Sequence, residues 1–432
     1  MKKMIAMILV LALAVSLCAC EELEKLQQVE LPPMPTVEPS QEPETQVTEA
    51  PQVSEEPVAK ANLGSRVIVN ISGSSQVYNA PDNEEQRILT FSYDTPQVHI
   101  EGNDAASDAI NDHIAVLNEL YYSGTGNGDG LNSWLEMALD NYSYAVDTGA
   151  EIGLELSSDR TASVSRADSS VVSLVLSTIT YMGGAHGDYS DRGYVYDTQT
   201  GELLTLEKLS DDPETFKQFV LEYITELAEN GEEYKDCSFR DTTEDLNTAL
   251  AALLREGSWY LDEKGLVVFS DVYELGSYAE GIIRFTIPYS ELAEHIKAKW
   301  LPVERPSGDG SFTVSLQSDV AAGSVELLDK VTVSDSGEEL CLKAEGTVYD
   351  ISISSVEYAD YNHKFFETDR HWNCSYMENC AIQLLTDIPD GMPDLMIRYT
   401  TADGTAHQYL ISQSGEDGSI ILIDAESVEA IG

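Results

Sequence analysis

The sequence predicts an α+β protein: an antiparallel sheet packed with helices in a central module, followed by a small all-β sandwich-like domain. Three observations predict it. Four stretches between residues 104 and 257 carry apolar side chains at helical spacing. Short runs that alternate in polarity stand between them. After Pro302 the helical spacing stops, and alternating runs divided by turn residues remain.

The chain begins with a segment of another kind. Lys2 and Lys3 precede an apolar run, Met4 to Val15, that is too short to span a bilayer. It ends in Ser16-Leu17-Cys18-Ala19-Cys20, which resembles the bacterial lipobox. That resemblance implies residues 1–20 as a lipoprotein signal peptide, cleaved before Cys20, with a lipid on the Cys20 thiol. The expected address is the extracytoplasmic face of the bacterial cell membrane, with contact to the membrane through the lipid anchor only. Residues 21–65 are rich in Pro and Glu and have no period. They read as a disordered acidic tether.

Regular patterning starts near Arg66. Residues 66–72 and 86–102 read as strands, and 104–122 as a helix with Ile110, Ile114, Leu117 and Tyr121 on one stripe. His113 on that helix reads as a boundary residue. Residues 131–146 repeat the spacing through Leu131, Leu135, Leu139, Tyr142 and Val146. The loop between these helices has Asp129 as its one carboxylate, too few for calcium. Residues 151–182 read as two strands around a turn. In the second, Val172, Leu174 and Leu176 oppose Val175, Ile179 and Tyr181, so both faces are partly buried.

The corner Gly183-Gly184-Ala185-His186-Gly187 follows, then a hairpin whose turn, Asp197 to Gly201, uses Gly201 at positive φ. The helix from Pro213 has Phe216, Val220, Ile224 and Leu227 on its stripe, and another ends at Gly257. A hairpin over 259–269, a strand and a closing helix complete the module. Beyond residue 302, turns such as Ala402-Asp403-Gly404 divide short strands. Residues 361–380, aromatic and polar at once, read as a long loop, of a composition that suits either ligand binding or a crossover between the sheets of a sandwich.

Lys and Arg number 24 against 76 Asp and Glu, a net charge of −52. Such a surface repels nucleic acid and steers basic partners inward. No metal or other cofactor is expected. The cysteines lack a C-x-x-C pair, and H-E-x-x-H, G-x-S-x-G, the P-loop and a dinucleotide fingerprint are absent. Cys374 and Cys380 bracket five residues, so a local disulfide is open to them, as are other pairings or free thiols. Carboxylates suited to glycan hydrolysis are too abundant to be informative. His186, among Gly183, Gly184 and Gly187, reads as a structural residue bonding a carbonyl in a tight corner. The rival reading makes it a base near Asp188.

The segments YMGGAHG, GYVYDTQTGELLTLEKL and WYLDEKGLVVFSDVYELGSYAEGIIRFTIPYSEL resemble the extracytoplasmic domain of the RsiV family of anti-sigma factors. Residues before them resemble the domain of unknown function that precedes it there and in PdaC-type peptidoglycan deacetylases. The resemblance implies residues 66–165 as a PdaC/RsiV-type N-terminal subdomain and 166–301 as an RsiV-type domain, with 302–432 outside it as the β-sandwich-like domain. For one branch it implies binding of host lysozyme. Tyr273, Glu274 and Tyr278 then become candidate ligand-binding residues.

Departures limit the transfer. The signal at Met1 leaves no cytoplasmic part, so direct anti-sigma activity is not expected. Deacetylase motifs are missing, and Val272, Gly276 and Ser277 stand in a loop often rich in proline. The expectation is a non-catalytic envelope lipoprotein that recognises lysozyme, another basic protein or a cell-wall component. The alternatives are a peptidoglycan-acting enzyme with a carboxylate site, or an envelope scaffold.

Overall fold

A long hairpin opens the fold. β1 (Val67–Ala80) and β2 (Asn83–Ile100) pair antiparallel along almost their whole length, turning at Pro81-Asp82. The computed structural model describes residues 63–125, 130–150, 153–239, 245–306, 310–321, 323–359, 364–388, 393–415, 417–425 and 428–430. Cys20, the signal peptide and the tether through residue 62 lie outside them, as does Asp129. No described helix is long and apolar enough to cross a membrane.

Two helices cross over from β2. α1 (Asp104–Ser123) is capped by Asn103, whose side chain accepts from the Ala106 amide, and it ends at Gly124 with φ 80°. α2 (Leu131–Thr148) ends at Gly149 in the left-handed region. Ile110 and Ile114 of α1 are buried as the spacing predicts. In α2 the buried stripe is Leu131, Trp134, Ala138 and Ala145, one position away from the expected one, and Val146 is exposed. Trp134 sets that rotation: its large ring takes the inward position, so Leu135 and Leu139 move to the flank.

β3 (Leu156–Ala167) then pairs in parallel with β2. β4 (Val171–Tyr181) and β5 (Asp188–Asp197) extend the sheet antiparallel. Gly201 takes φ 72° in the following turn, and a Cβ there would fall 2.7 Å from the Ala106 carbonyl oxygen of α1. That position therefore needs glycine for two reasons.

α3 (Pro213–Asn230) and α4 (Leu246–Ala252) pack on a small sheet of β6 (Trp259–Leu261), β7 (Gly265–Phe269) and β8 (Arg284–Pro288). Asp212 caps α3 through the Thr215 amide with Pro213 in the first turn, and Phe216, Val220 and Ile224 enter the core. The short helix α5 (Tyr289–Leu292) closes this part.

The remaining strands are β9 (Ser311–Leu316), β10 (Glu326–Thr332), β11 (Glu338–Glu345), β12 (Thr347–Ala359), β13 (Lys364–Glu378), β14 (Cys380–Thr386), β15 (Leu395–Thr400), β16 (Ala406–Gln413), β17 (Ile420–Asp424) and β18 (Val428–Ala430). β10, β14, β11 and β9 form one sheet, in that order. It packs on β12, β13, β15 and β16 around Trp372, Ile351, Ile353 and Ile397, so two sheets do stack face to face. The second of these sheets does not stop at the C-terminal region. β13 pairs with β1, and the strand order runs β17-β16-β15-β12-β13-β1-β2-β3-β4-β5, with β18 pairing with the other end of β13. The fold is α+β, and its main sheet is continuous between strands that the sequence assigns to separate regions.

Two expectations are corrected here. Residues 364–378, read as a loop, are the strand that joins the halves of the main sheet; Tyr361 to His363 lie outside the described residues. The second correction is the Cys374–Cys380 disulfide, which is not formed. The Cys374 thiol donates to the Tyr376 carbonyl at 3.1 Å, and burial pushes its pKa up to about 12. Asn379, at φ 48°, turns the chain so that Cys374 belongs to β13 and Cys380 opens β14 of the other sheet.

Candidate binding surface

The β4–β5 corner owes its shape to Gly183 and Gly184, with φ of 88° and 117°. A Cβ at either meets nothing, so they serve the turn and not a close approach of backbones. Gly187 is the residue in close approach: a Cβ there would sit 2.6 Å from the Thr180 carbonyl oxygen. The corner presents His186 outward. Its Nδ1 donates to the Gly187 carbonyl at 2.8 Å, which leaves Nε2 as an acceptor. The carbonyl bond is the expected one, but the side chain is exposed and not buried.

The segment between β7 and β8 is tied down at several points. Ser270 N donates to the Ile283 carbonyl at 3.0 Å, and the Ile283 amide donates to Ser270 Oγ at 3.1 Å. Arg255 grips Glu274 through both guanidinium nitrogens, at 2.6 and 2.9 Å, and Asp271 at 3.1 Å. Arg192 holds the other Asp271 oxygen at 2.6 Å. Ser277 and Glu280 form a capping box over the single turn Tyr278–Glu280. Hydrogen bonds from Ser238 and Ser277 pull the Glu280 carboxyl down to about 2.

These anchors fix Tyr273 and Tyr278 beside His186. The His186 and Tyr278 rings stack with centroids 3.9 Å apart. Tyr273 lies 5.7 Å from Tyr278, with its hydroxyl 3.5 Å from His186 Nε2. Tyr189 meets Tyr278 edge-on at 5.7 Å. Tyr273 is 59% exposed and holds φ 65°, a region that costs a non-glycine residue about 1–2 kcal/mol. The structure thus brings Tyr273, Tyr278 and His186 into one patch. It gives Glu274 a different task, since both its oxygens are taken by Arg255 and the Asp271 amide.

Tyr189 and Gly281 link the patch to a cleft of about 530 Å³ over one face of β3 and β4. Tyr260 and the pair Asp191–Arg284 stand on one side, and Glu367, Asp369 and Arg370 of β13 on the other. Asp94 lies in the cleft, accepting the Ala162 amide at 2.8 Å. Burial, with smaller contributions from Asp369 and Asp159, raises its carboxyl to about 6. Rings at the rim and carboxylates within suit the end of a lysine or arginine side chain, or a polyol. Among the described residues, no group of three or more His, Cys, Asp or Glu is placed to hold a metal. Sequence reasoning missed Tyr189, Asp94 and the β13 residues. Tyr189 had a signal, three positions after His186 at the head of β5. The others are joined by sheet order alone.

Residues 208–290 match the family described as "Protein of unknown function (DUF3298)" and are a DUF3298 domain. The match spans α3, α4, the β6–β8 sheet and Tyr273 and Tyr278 of the patch, with Tyr189 and His186 outside it. Among solved structures, a DUF3298 family member from Bacteroides fragilis is 16% identical, with a TM-score of 0.40, covering 54% of this chain and 94% of its own. A DUF3298 family protein from Pseudomonas aeruginosa is 19% identical, with a TM-score of 0.37, covering 54% and 96%. No curated protein matches the chain.

Proposed function

We propose that the protein is a non-catalytic receptor of the bacterial cell envelope, anchored on the extracytoplasmic face through lipid on Cys20. It recognises a basic protein such as lysozyme, or a cell-wall component. In this reading residues 66–165 are the PdaC/RsiV-type subdomain and 166–301 the RsiV-type domain.

The observation that carries the reading is the surface patch of Tyr273, Tyr278, Tyr189 and His186, continuous with a cleft whose carboxylates outnumber its two arginines, Arg284 and Arg370. Tyrosine contributes large, stiff, amphipathic area to interfaces. The charge of −52 adds long-range attraction for a basic partner. A calorimetric screen against lysozymes and muropeptides tests it. Binding that weakens when Tyr273 and Tyr278 are replaced supports the receptor. Failure of every ligand leaves the scaffold role as the better account.

One observation favours a second reading, an enzyme acting on wall glycan. A carboxyl with a pKa raised to about 6 inside a cleft suits a general acid. Release of soluble fragments from purified peptidoglycan, abolished by Asp94→Asn, would establish that reading and overturn the first.

A further inference from the structure

The opposite face of the same sheet carries an opening of about 570 Å³, under α1 and α2. One part of its wall is apolar: Tyr121, Trp134, Met137 and Leu176 line it, and Leu120 and Met182 stand at its edge, 47% and 55% exposed, while Ser158, Thr178 and Thr180 line the sheet side. The chain has 76 acidic side chains, yet no described lining residue of this opening is Asp or Glu, while Arg160 and Arg192 both line it. Charge is thus reversed here relative to the rest of the molecule.

Arg160 makes the reversal specific. It is only 7% exposed and forms no ion pair with any described residue. Nη1 donates to the Leu117 carbonyl at 3.1 Å and Nη2 to the Asn118 side chain, whereas Nε has no acceptor. The guanidinium lies 4.3 Å from the Tyr121 ring centre, and that π-face is its nearest compensation. Tethering α1 to the sheet explains its two neutral hydrogen bonds. It does not explain a buried cation whose nearest acting carboxylate, Asp94, stays beyond ion-pair distance, beside an opening of ligand size.

We infer that this opening binds an amphiphile with one anionic head, of the free long-chain fatty-acid class. The alkyl chain lies among Trp134, Met137, Leu176 and Met182, and the carboxylate faces Arg160, with Arg192 at the side. Arg192 already donates to Asp271, so Arg160 carries the charge recognition. The site lies on the other face of the sheet from the cleft, shares Arg192 with the anchors of the tyrosine loop, and does not rest on the proposed receptor function.

Trp134 lines the opening and reports on it. The protein is titrated with palmitate below its micelle concentration, following tryptophan fluorescence and heat. One palmitate per chain is expected to bind, hexadecanol at least about tenfold more weakly, and neutral phosphatidylcholine vesicles and anionic phosphatidylglycerol vesicles not at all. Arg160→Gln should lose about the same factor for palmitate and little for hexadecanol. Because Arg160 is buried, Met182→Glu serves as the second variant: it changes an exposed edge residue and should abolish palmitate binding with the melting temperature retained. No palmitate binding, equal affinity for acid and alcohol, preference for vesicles, or full binding by Met182→Glu would each overturn the inference.

Discussion

The imidazole of His186 and the ring of Tyr278 stack at 3.9 Å with planes 28° apart, although one sits in the β4–β5 corner and the other in the β7–β8 segment. That contact is where the glycine corner and the tyrosine loop become a single surface.

Replacing His186 with Ala should therefore act on the loop more than on the fold. The side chain is exposed, and its carbonyl bond is to the adjacent residue. Stacked rings of this kind are worth about 0.5–1.5 kcal/mol. The expected loss of stability in urea unfolding is under about 1 kcal/mol, with faster amide exchange over residues 271–281. A loss of several kcal/mol would show the corner to be a core element.

Tyr273 occupies the left-handed region, which Asn tolerates better than Tyr. Tyr273→Asn should leave the melting temperature unchanged or slightly higher while weakening ligand binding. A large drop in melting temperature would mean that the exposed ring carries stability that its contacts do not account for.

Asp94 gives a pH signature. Its folded pKa of about 6 is above the ordinary 3.8, so the folded state holds this proton more tightly than the unfolded chain. Stability must then fall as pH rises between those values and level off above them. Asp94→Asn keeps an acceptor for the Ala162 amide and does not titrate. It should match the parent near pH 4 and exceed it by about 1–2 kcal/mol at pH 7.5, allowing for partial screening. Parallel stability curves for the two proteins across this range would refute the burial argument.

The shared sheet makes a prediction about truncation. Residues 66–301 alone leave the β1 edge without β13 and remove Trp372, which is fully buried. An open edge of this kind invites association. The fragment should aggregate in size-exclusion chromatography or melt well below the parent. In the full chain, Trp372→Ala should cost about 3–5 kcal/mol. A monomeric fragment with the parent's melting temperature would show that the two regions fold apart.

These cases also show what sequence could and could not reveal. α1, α3, the β6–β7 hairpin and the turn at Gly201 follow from local spacing and caps, and they form as read. β13 was hidden because it crosses the centre of a sheet between two different environments. Trp372, Cys374 and Met377 enter the core while Glu367 and Arg370 line the cleft, so no simple alternation survives. The patch was half legible: its tyrosines and histidine carried signals, but their meeting depends on Arg255 and Arg192 holding the loop. Asp94 gave no signal, because its burial comes from strands distant in sequence.

The central claim is recognition of a basic partner through the patch, and titration calorimetry with a common animal lysozyme tests it most directly. At low salt the parent should bind, and affinity should fall toward physiological salt as the Debye length shortens to about 8 Å. Tyr273→Ala combined with Tyr278→Ala should reduce affinity at both salts while the protein stays folded by circular dichroism. No heat of binding from the parent at low salt, or equal binding by parent and double variant, would contradict the account.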